Sequence, residues 1–185
     1  MQTKRKRVVD NLSKINKFPK PIWNPKDIFN SAESFYKSAN IIALEFSKTS
    51  DFSLISPILT IDSLAIELYF KSIYILENSK NSNEQHNLLR LFNSLSANTK
   101  TKINECYNQF MSVDKQLIFL SKELKGAPFN LDIVSVLSEI SNAFIEWRYI
   151  YEGNTKGFPS GQAIIKASRF YLQNIKPEWF TSYPK

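Results

Sequence analysis

From Ile28 to Phe46 the apolar residues return at every third or fourth position: Ile28, Phe29, Ala32, Phe35, Tyr36, Ala39, Ile42, Ala43 and Phe46. That period is the repeat of an α-helix, and it lays these side chains along one stripe that another element must cover. The same rhythm recurs in each later apolar segment, and no alternating pattern demands a sheet. The expected class is all-α, a bundle of about six helices. No repeat at a period of about 20 to 50 residues points to a solenoid. With 185 residues and 43% hydrophobic content, the chain is expected to form a single helical domain over 25–185 behind a basic segment over 1–24.

Local signals divide this pattern into helices. Asn24-Pro25 supplies a cap and a proline at the first helical position, which predicts a helix over 25–49. Ser56-Pro57 repeats the signal for a second helix reaching Glu77, apolar around much of its circumference and therefore central. The stretch from Asn78 to Asn83 reads as a polar loop. A short helix is expected from His86 to Leu95, and a longer one capped by Asn98 or Thr99 and running to Lys125 before Gly126. Two more are expected, from Asn130 to Glu152 and from Pro159-Ser160 to just before Pro177.

Composition excludes several functional classes. Cys106 is the only cysteine, so an intramolecular disulfide framework is excluded. His86 is the only histidine, which rules out a multi-histidine zinc site or a two-histidine mechanism within one chain. No run approaches the roughly 18 uninterrupted apolar residues of a membrane helix, and Asp10 interrupts the only apolar start near the N-terminus. The expectation is a cytoplasmic protein with no membrane contact. No Gly-rich phosphate loop, Cys-x-x-Cys, His-Glu-x-x-His or Gly-x-Ser-x-Gly occurs, and no metal or cofactor is expected.

The net charge of +7 is concentrated at one end. Residues 1–26 hold eight basic side chains, among them Lys4, Arg5, Lys6 and Arg7, against the single acid Asp10; from Asp27 onward sixteen bases balance sixteen acids. Such a segment reads either as an arm that contacts nucleic-acid phosphates or as a solvated terminus.

Charged residues inside the most apolar helices are the chief candidates for chemistry, because burying a charge is costly unless it is paired. Glu67 and Lys71 stand four apart in the second helix, in the orientation that favours an intrahelical pair. Arg148 and Glu152 repeat the spacing in the fifth. If the two helices face each other, the four residues form either a polar cleft or a buried ion network that fixes helix register. His86 suits general-base proton transfer, a capping role, or a place in the same network. Cys106 reads as a small buried hydrophobe. The aromatic pairs Phe170-Tyr171 and Trp179-Phe180 read as packing, with base stacking as the alternative.

Three blocks together resemble a known family. Ile66-Glu67-Leu68-Tyr69-Phe70-Lys71 is similar to the Glu-Leu-x-x-Lys helix of HEPN-like proteins, the small helical domains of prokaryotic toxin-antitoxin and antiviral systems. His86-Asn87-Leu88-x-x-Leu91 resembles the His-Asp-Leu-x-x-Leu segment that follows it, and Phe144-x-x-Trp147-Arg148-Tyr149-x-Tyr151-Glu152 resembles the late Phe-x-x-Arg-Tyr-x-x-Glu helix. The blocks occur in the family's order over a HEPN-like core of about 57–153. Ribonuclease members carry a His four to six residues after the Arg, whereas Arg148 is followed by Tyr, Ile, Tyr, Glu, Gly, Asn and Thr. The resemblance implies a HEPN-like binding or regulatory module without the usual nuclease pair, forming a homodimer, in a bacterial or phage-related defence or toxin-antitoxin setting. RNA would be bound through the basic segment or the central cleft. One alternative is a metal-independent ribonuclease using Arg148 and His86. Another is an immunity or antitoxin protein that blocks a partner protein.

Overall fold

The computed structural model describes residues 21–82, 86–113, 132–141 and 161–181. Six α-helices lie within them, α1 (Pro25–Thr49), α2 (Ile55–Asn78), α3 (Leu88–Asn93), α4 (Ala97–Val113), α5 (Ile133–Ile140) and α6 (Gln162–Ile175), with 3-10 turns at Phe52–Leu54 and Pro177–Trp179. No strand occurs among the described residues. The all-α class is thus established.

Of the helix starts, one lies where the sequence places it and five are shifted. The Asn24 side chain accepts from the Lys26 N–H at 2.9 Å and Pro25 opens α1, as the sequence predicts. Ser56 does not cap α2. Asp51 caps the preceding 3-10 turn by accepting from the Ser53 N–H, and that turn runs straight into the helix. Pro57 then sits in the first turn, where backbone N–H groups have no intrahelical partner to lose. Asn87 caps α3 through the Arg90 N–H, which leaves His86 outside the helix it was expected to open. Ser96, rather than Asn98 or Thr99, accepts from the Thr99 N–H at the start of α4, and Asp132 caps α5 through Val134 and Ser135. The last helix begins at Gln162, after Gly161, later than Pro159-Ser160 suggests. The expected continuations of α4 toward Lys125 and α5 toward Glu152 lie outside the described residues.

α1 and α2 form an antiparallel hairpin. Its open end is tied by Ser72, whose hydroxyl donates to the Pro25 carbonyl at 2.8 Å, and its turn by Phe46 edge-on to Phe52. The second half of α2 is the centre of the domain, with Ala65, Ile66, Tyr69, Phe70 and Ile73 fully buried. α6 packs on α2 and α4, while α3 packs on α2 and α5. Phe92 of α3 meets Phe70 at 5.5 Å between ring centres, and Trp179 and Phe180 close over Phe29. Gly161 makes the junction of α6 with α2 tight, since a Cβ there would come within 2.7 Å of Ile66 Cδ1.

The apolar stripe of α1 is covered only over its first half. Phe29, Ala32 and Ala39 are buried, whereas Ile42, Ala43 and Phe46 are half-buried and Phe35 is exposed. By length and composition alone the helical run Phe52–Asn78 is sufficient to cross a membrane. The core helix of a bundle satisfies the same measure, and this one holds Asp62, Glu67 and Lys71 in partnered, buried positions.

Candidate functional site

The described part of α2 presents polar side chains on two sides. Glu67 and Lys71 share one face, one turn apart, while Asp62 and Tyr69 lie roughly opposite by the 3.6-residue repeat. All four are buried, so each needs a partner.

On the first face Lys71 Nζ donates to Glu67 Oε1 at 2.7 Å, as the i,i+4 spacing anticipates. The same carboxylate meets His86 Nδ1, at 3.1 Å from Oε1 and 3.3 Å from Oε2. His86 is thereby placed beside Glu67 although 19 positions separate them. Its ring remains open to solvent, with 66% of the side chain accessible, against 7% for Glu67. The buried carboxylate engages one nitrogen of an imidazole that is otherwise largely exposed. Arg148 and Glu152, expected to complete a quartet here, lie outside the described residues, as do Lys4, Arg5, Lys6 and Arg7.

The opposite face carries a trio that reading by spacing did not bring together. The Tyr69 hydroxyl donates to Glu33 Oε1 at 2.7 Å, and Arg169 Nε donates to the same oxygen at 2.6 Å. Glu33 is buried, whereas Arg169 keeps 37% of its side chain exposed and lies against two rings, 5.1 Å from the centre of Phe180 and 6.0 Å from that of Tyr36. Burial, and then the Glu33 charge and hydrogen bond, hold the Tyr69 phenol far above its usual range. For Arg169 burial works against the charged form, but the bond and charge of Glu33 outweigh it, so the guanidinium is held more firmly protonated than usual. The sequence signal was a charged residue inside each apolar stripe. Nothing local joined two positions 136 residues apart.

About two turns before Tyr69, Asp62 accepts from Gln162 Nε2 at 2.8 and 2.9 Å. Burial pushes its carboxyl up to about 6, and the Gln162 amide offsets this only in part. At the C-terminal end of α2, Glu77 accepts from the Ser96 N–H, the Ser96 hydroxyl and the Thr99 hydroxyl, and Thr99 in turn meets the Tyr171 hydroxyl at 2.8 Å. This network ties α2, α4 and α6 together. Cys106 is half-buried against the core, with its thiol pushed up by burial. That is the setting of a small hydrophobe rather than of an activated nucleophile.

The chain matches no family model, no curated protein and no solved structure. The likeness to HEPN-like proteins therefore rests on the three sequence blocks. Of these, the first lies on α2, the second spans the turn into α3, and the third falls outside the described residues. Among the described residues no group of three His, Cys, Asp or Glu side chains is placed to hold a metal ion.

Proposed function

We propose that this chain is a HEPN-like helical module that binds RNA without cutting it, in a bacterial or phage-related defence setting. One observation carries the reading. The described residues gather an imidazole, a carboxylate and an amine around Glu67, and the carboxylate is engaged by both others, Lys71 from within the helix and His86 from the turn before α3. That supports a tether that fixes the turn against α2. A ribonuclease needs a base at the 2′-hydroxyl and a cation or acid on the leaving side, and losing one such group removes about 10² to 10⁴ of the rate. Incubation of single-stranded and structured RNA with the full chain in chelator should leave the RNA intact, while anisotropy should report salt-sensitive binding.

A second reading, a metal-independent ribonuclease using His86 and Arg148, is favoured by the exposed His86 ring oriented by Glu67. Under it, wild type cleaves and both His86→Ala and Arg148→Ala fold but do not. The immunity or antitoxin reading is favoured by Ile41, Leu44 and Phe52, which leave an apolar surface at the hairpin turn. A stoichiometric protein partner, released on placing charge at these positions, is its test.

A further inference from the structure

Arg169 has features that a simple structural ion pair does not require. Glu33 holds its Nε, and among the described residues no hydrogen bond engages the terminal nitrogens of the guanidinium. The side chain is fixed at its inner edge by a buried acid that is itself held by Tyr69, and is flanked by the rings of Tyr36 and Phe180. A guanidinium ordered in this way has already lost its conformational freedom, so presenting its remaining donors to an anion costs little further entropy.

The surroundings carry more basic than acidic side chains. Since Glu33 cancels the charge of Arg169, attraction must come from the neighbours. Lys166 stands one turn before Arg169 on α6 and is exposed. Lys37 stands one turn beyond Glu33 on α1, also exposed, and Lys176 follows α6, where it pairs loosely with Glu178 at 3.8 Å. α6 itself, Gln162–Ile175, contains no acidic residue. Residues three or four apart share a helix face, so the bond between Glu33 and Arg169 lines these lysines up along one seam between α1 and α6. A basic track with an aromatic ring beside it is the combination that single-stranded nucleic acid requires, phosphates on the cations and a base against the ring.

We infer that the seam between α1 and α6, centred on Arg169, binds the phosphodiester backbone of single-stranded nucleic acid, with Tyr36 beside it to stack a base. The inference rests on the RNA-binding reading above and moves the binding surface away from residues 1–24 and from the Glu67 face. Arg169 supplies the fork that fixes the phosphate, and Lys166 supplies most of the field, with Lys176 sharing its charge with Glu178.

Fluorescence anisotropy of the full chain with a labelled single-stranded RNA, and with DNA of the same sequence, tests it across a salt series. Arg169→Lys keeps the charge and removes the fork, and should weaken binding about tenfold or more. Because that change also touches a buried acid, Lys166→Gln with Lys176→Gln provides a second arm on side chains away from the core. That double variant should flatten the salt slope by about 0.7 for each phosphate it no longer neutralises. Neutralising Lys4, Arg5, Lys6 and Arg7 in the full chain should leave the effect of Arg169→Lys in place. If wild type binds RNA but the seam variants match it, the seam is the wrong place and only this inference falls. If wild type binds DNA but not RNA and the seam variants bind neither, the seam stands and the RNA reading falls. Binding of wild type to neither oligonucleotide overturns both.

Discussion

The two halves of α2 invert the usual relation between polarity and burial. From Asp62 onward the helix is enclosed, and its buried positions include Asp62, Ser63, Glu67, Lys71 and Ser72. Before Asp62 the sequence Ile55-Ser56-Pro57-Ile58-Leu59-Thr60-Ile61 is mostly apolar, yet none of these residues is buried. The adjoining turn exposes Phe52 at 73%, and the end of α1 exposes Ile41 at 68% and Leu44 at 61%. Hydrophobicity therefore does not determine which part of a helix is central; the number of elements that reach it does. α3 meets the second half at Phe70 and α6 meets it at Asp62 and Ile66, and the polar side chains of the enclosed half are tolerated because each finds a partner.

The largest losses should therefore come from unpairing the enclosed half. Arg169→Met leaves the buried Glu33 with only a neutral donor, and Glu67→Gln leaves the buried Lys71 without a counter-charge; each should cost about 3 to 5 kcal/mol in urea unfolding. A loss below about 0.5 kcal/mol for either would place that pair in solvent and dissolve the contrast.

Asp62 sits at the border and should give the next effect. Its carboxyl lies at about 6 in the folded protein against 3.8 for an unperturbed side chain, so the folded state holds the proton more tightly. The contribution of Asp62 to stability is therefore greatest below the unfolded value and is lost as pH rises through the folded one. Asp62→Asn should raise stability at pH 7 by roughly 1 to 3 kcal/mol and flatten this part of the pH dependence between about 4 and 6. An unchanged slope in the variant would show that the carboxylate is well solvated.

The ends of the helical hairpin offer a smaller, stabilising change. Ser50 at φ 54 and Ser79 at φ 50 close α1 and α2 in the left-handed region, where a side chain is a burden and glycine is not. Ser50→Gly and Ser79→Gly should each add about 0.5 to 1 kcal/mol to stability, as read by thermal melting. Destabilisation would mean that the hydroxyls hold these turns. Smallest of all should be Ile41→Gln and Leu44→Gln, within about 0.5 kcal/mol, because they remove little buried surface. A cost above about 2 kcal/mol would show that the open half is covered after all and that the contrast is only apparent.

Much of this was legible one element at a time. The cap at Asn24, the centrality of α2 and the bond between Glu67 and Lys71 all follow from neighbours within a turn or so, the range over which spacing constrains geometry. Helix starts were misplaced where a competing cap won, as Asp51 did over Ser56 and Ser96 over Asn98. The trio of Glu33, Tyr69 and Arg169 escaped notice for a different reason. Its members are drawn together because α1 and α6 both pack on α2, and periodicity identifies a charged residue in an apolar stripe without identifying the opposite charge that meets it. The same limit applied to His86, whose bond with Glu67 depends on how the turn after α2 folds back.

The bond between Glu33 and Arg169 also bears on how the protein is made. Arg169 follows Glu33 by 136 positions, which at a synthesis rate of about 5 to 20 residues per second is a delay of roughly 7 to 27 seconds. In the later part of that interval, once α2 is complete at Asn78, the first two helices carry the acid and its tyrosine but not the cation that lets the acid be enclosed. The hairpin must wait half-assembled, its apolar flank open to chaperones, until α6 arrives and completes the bond.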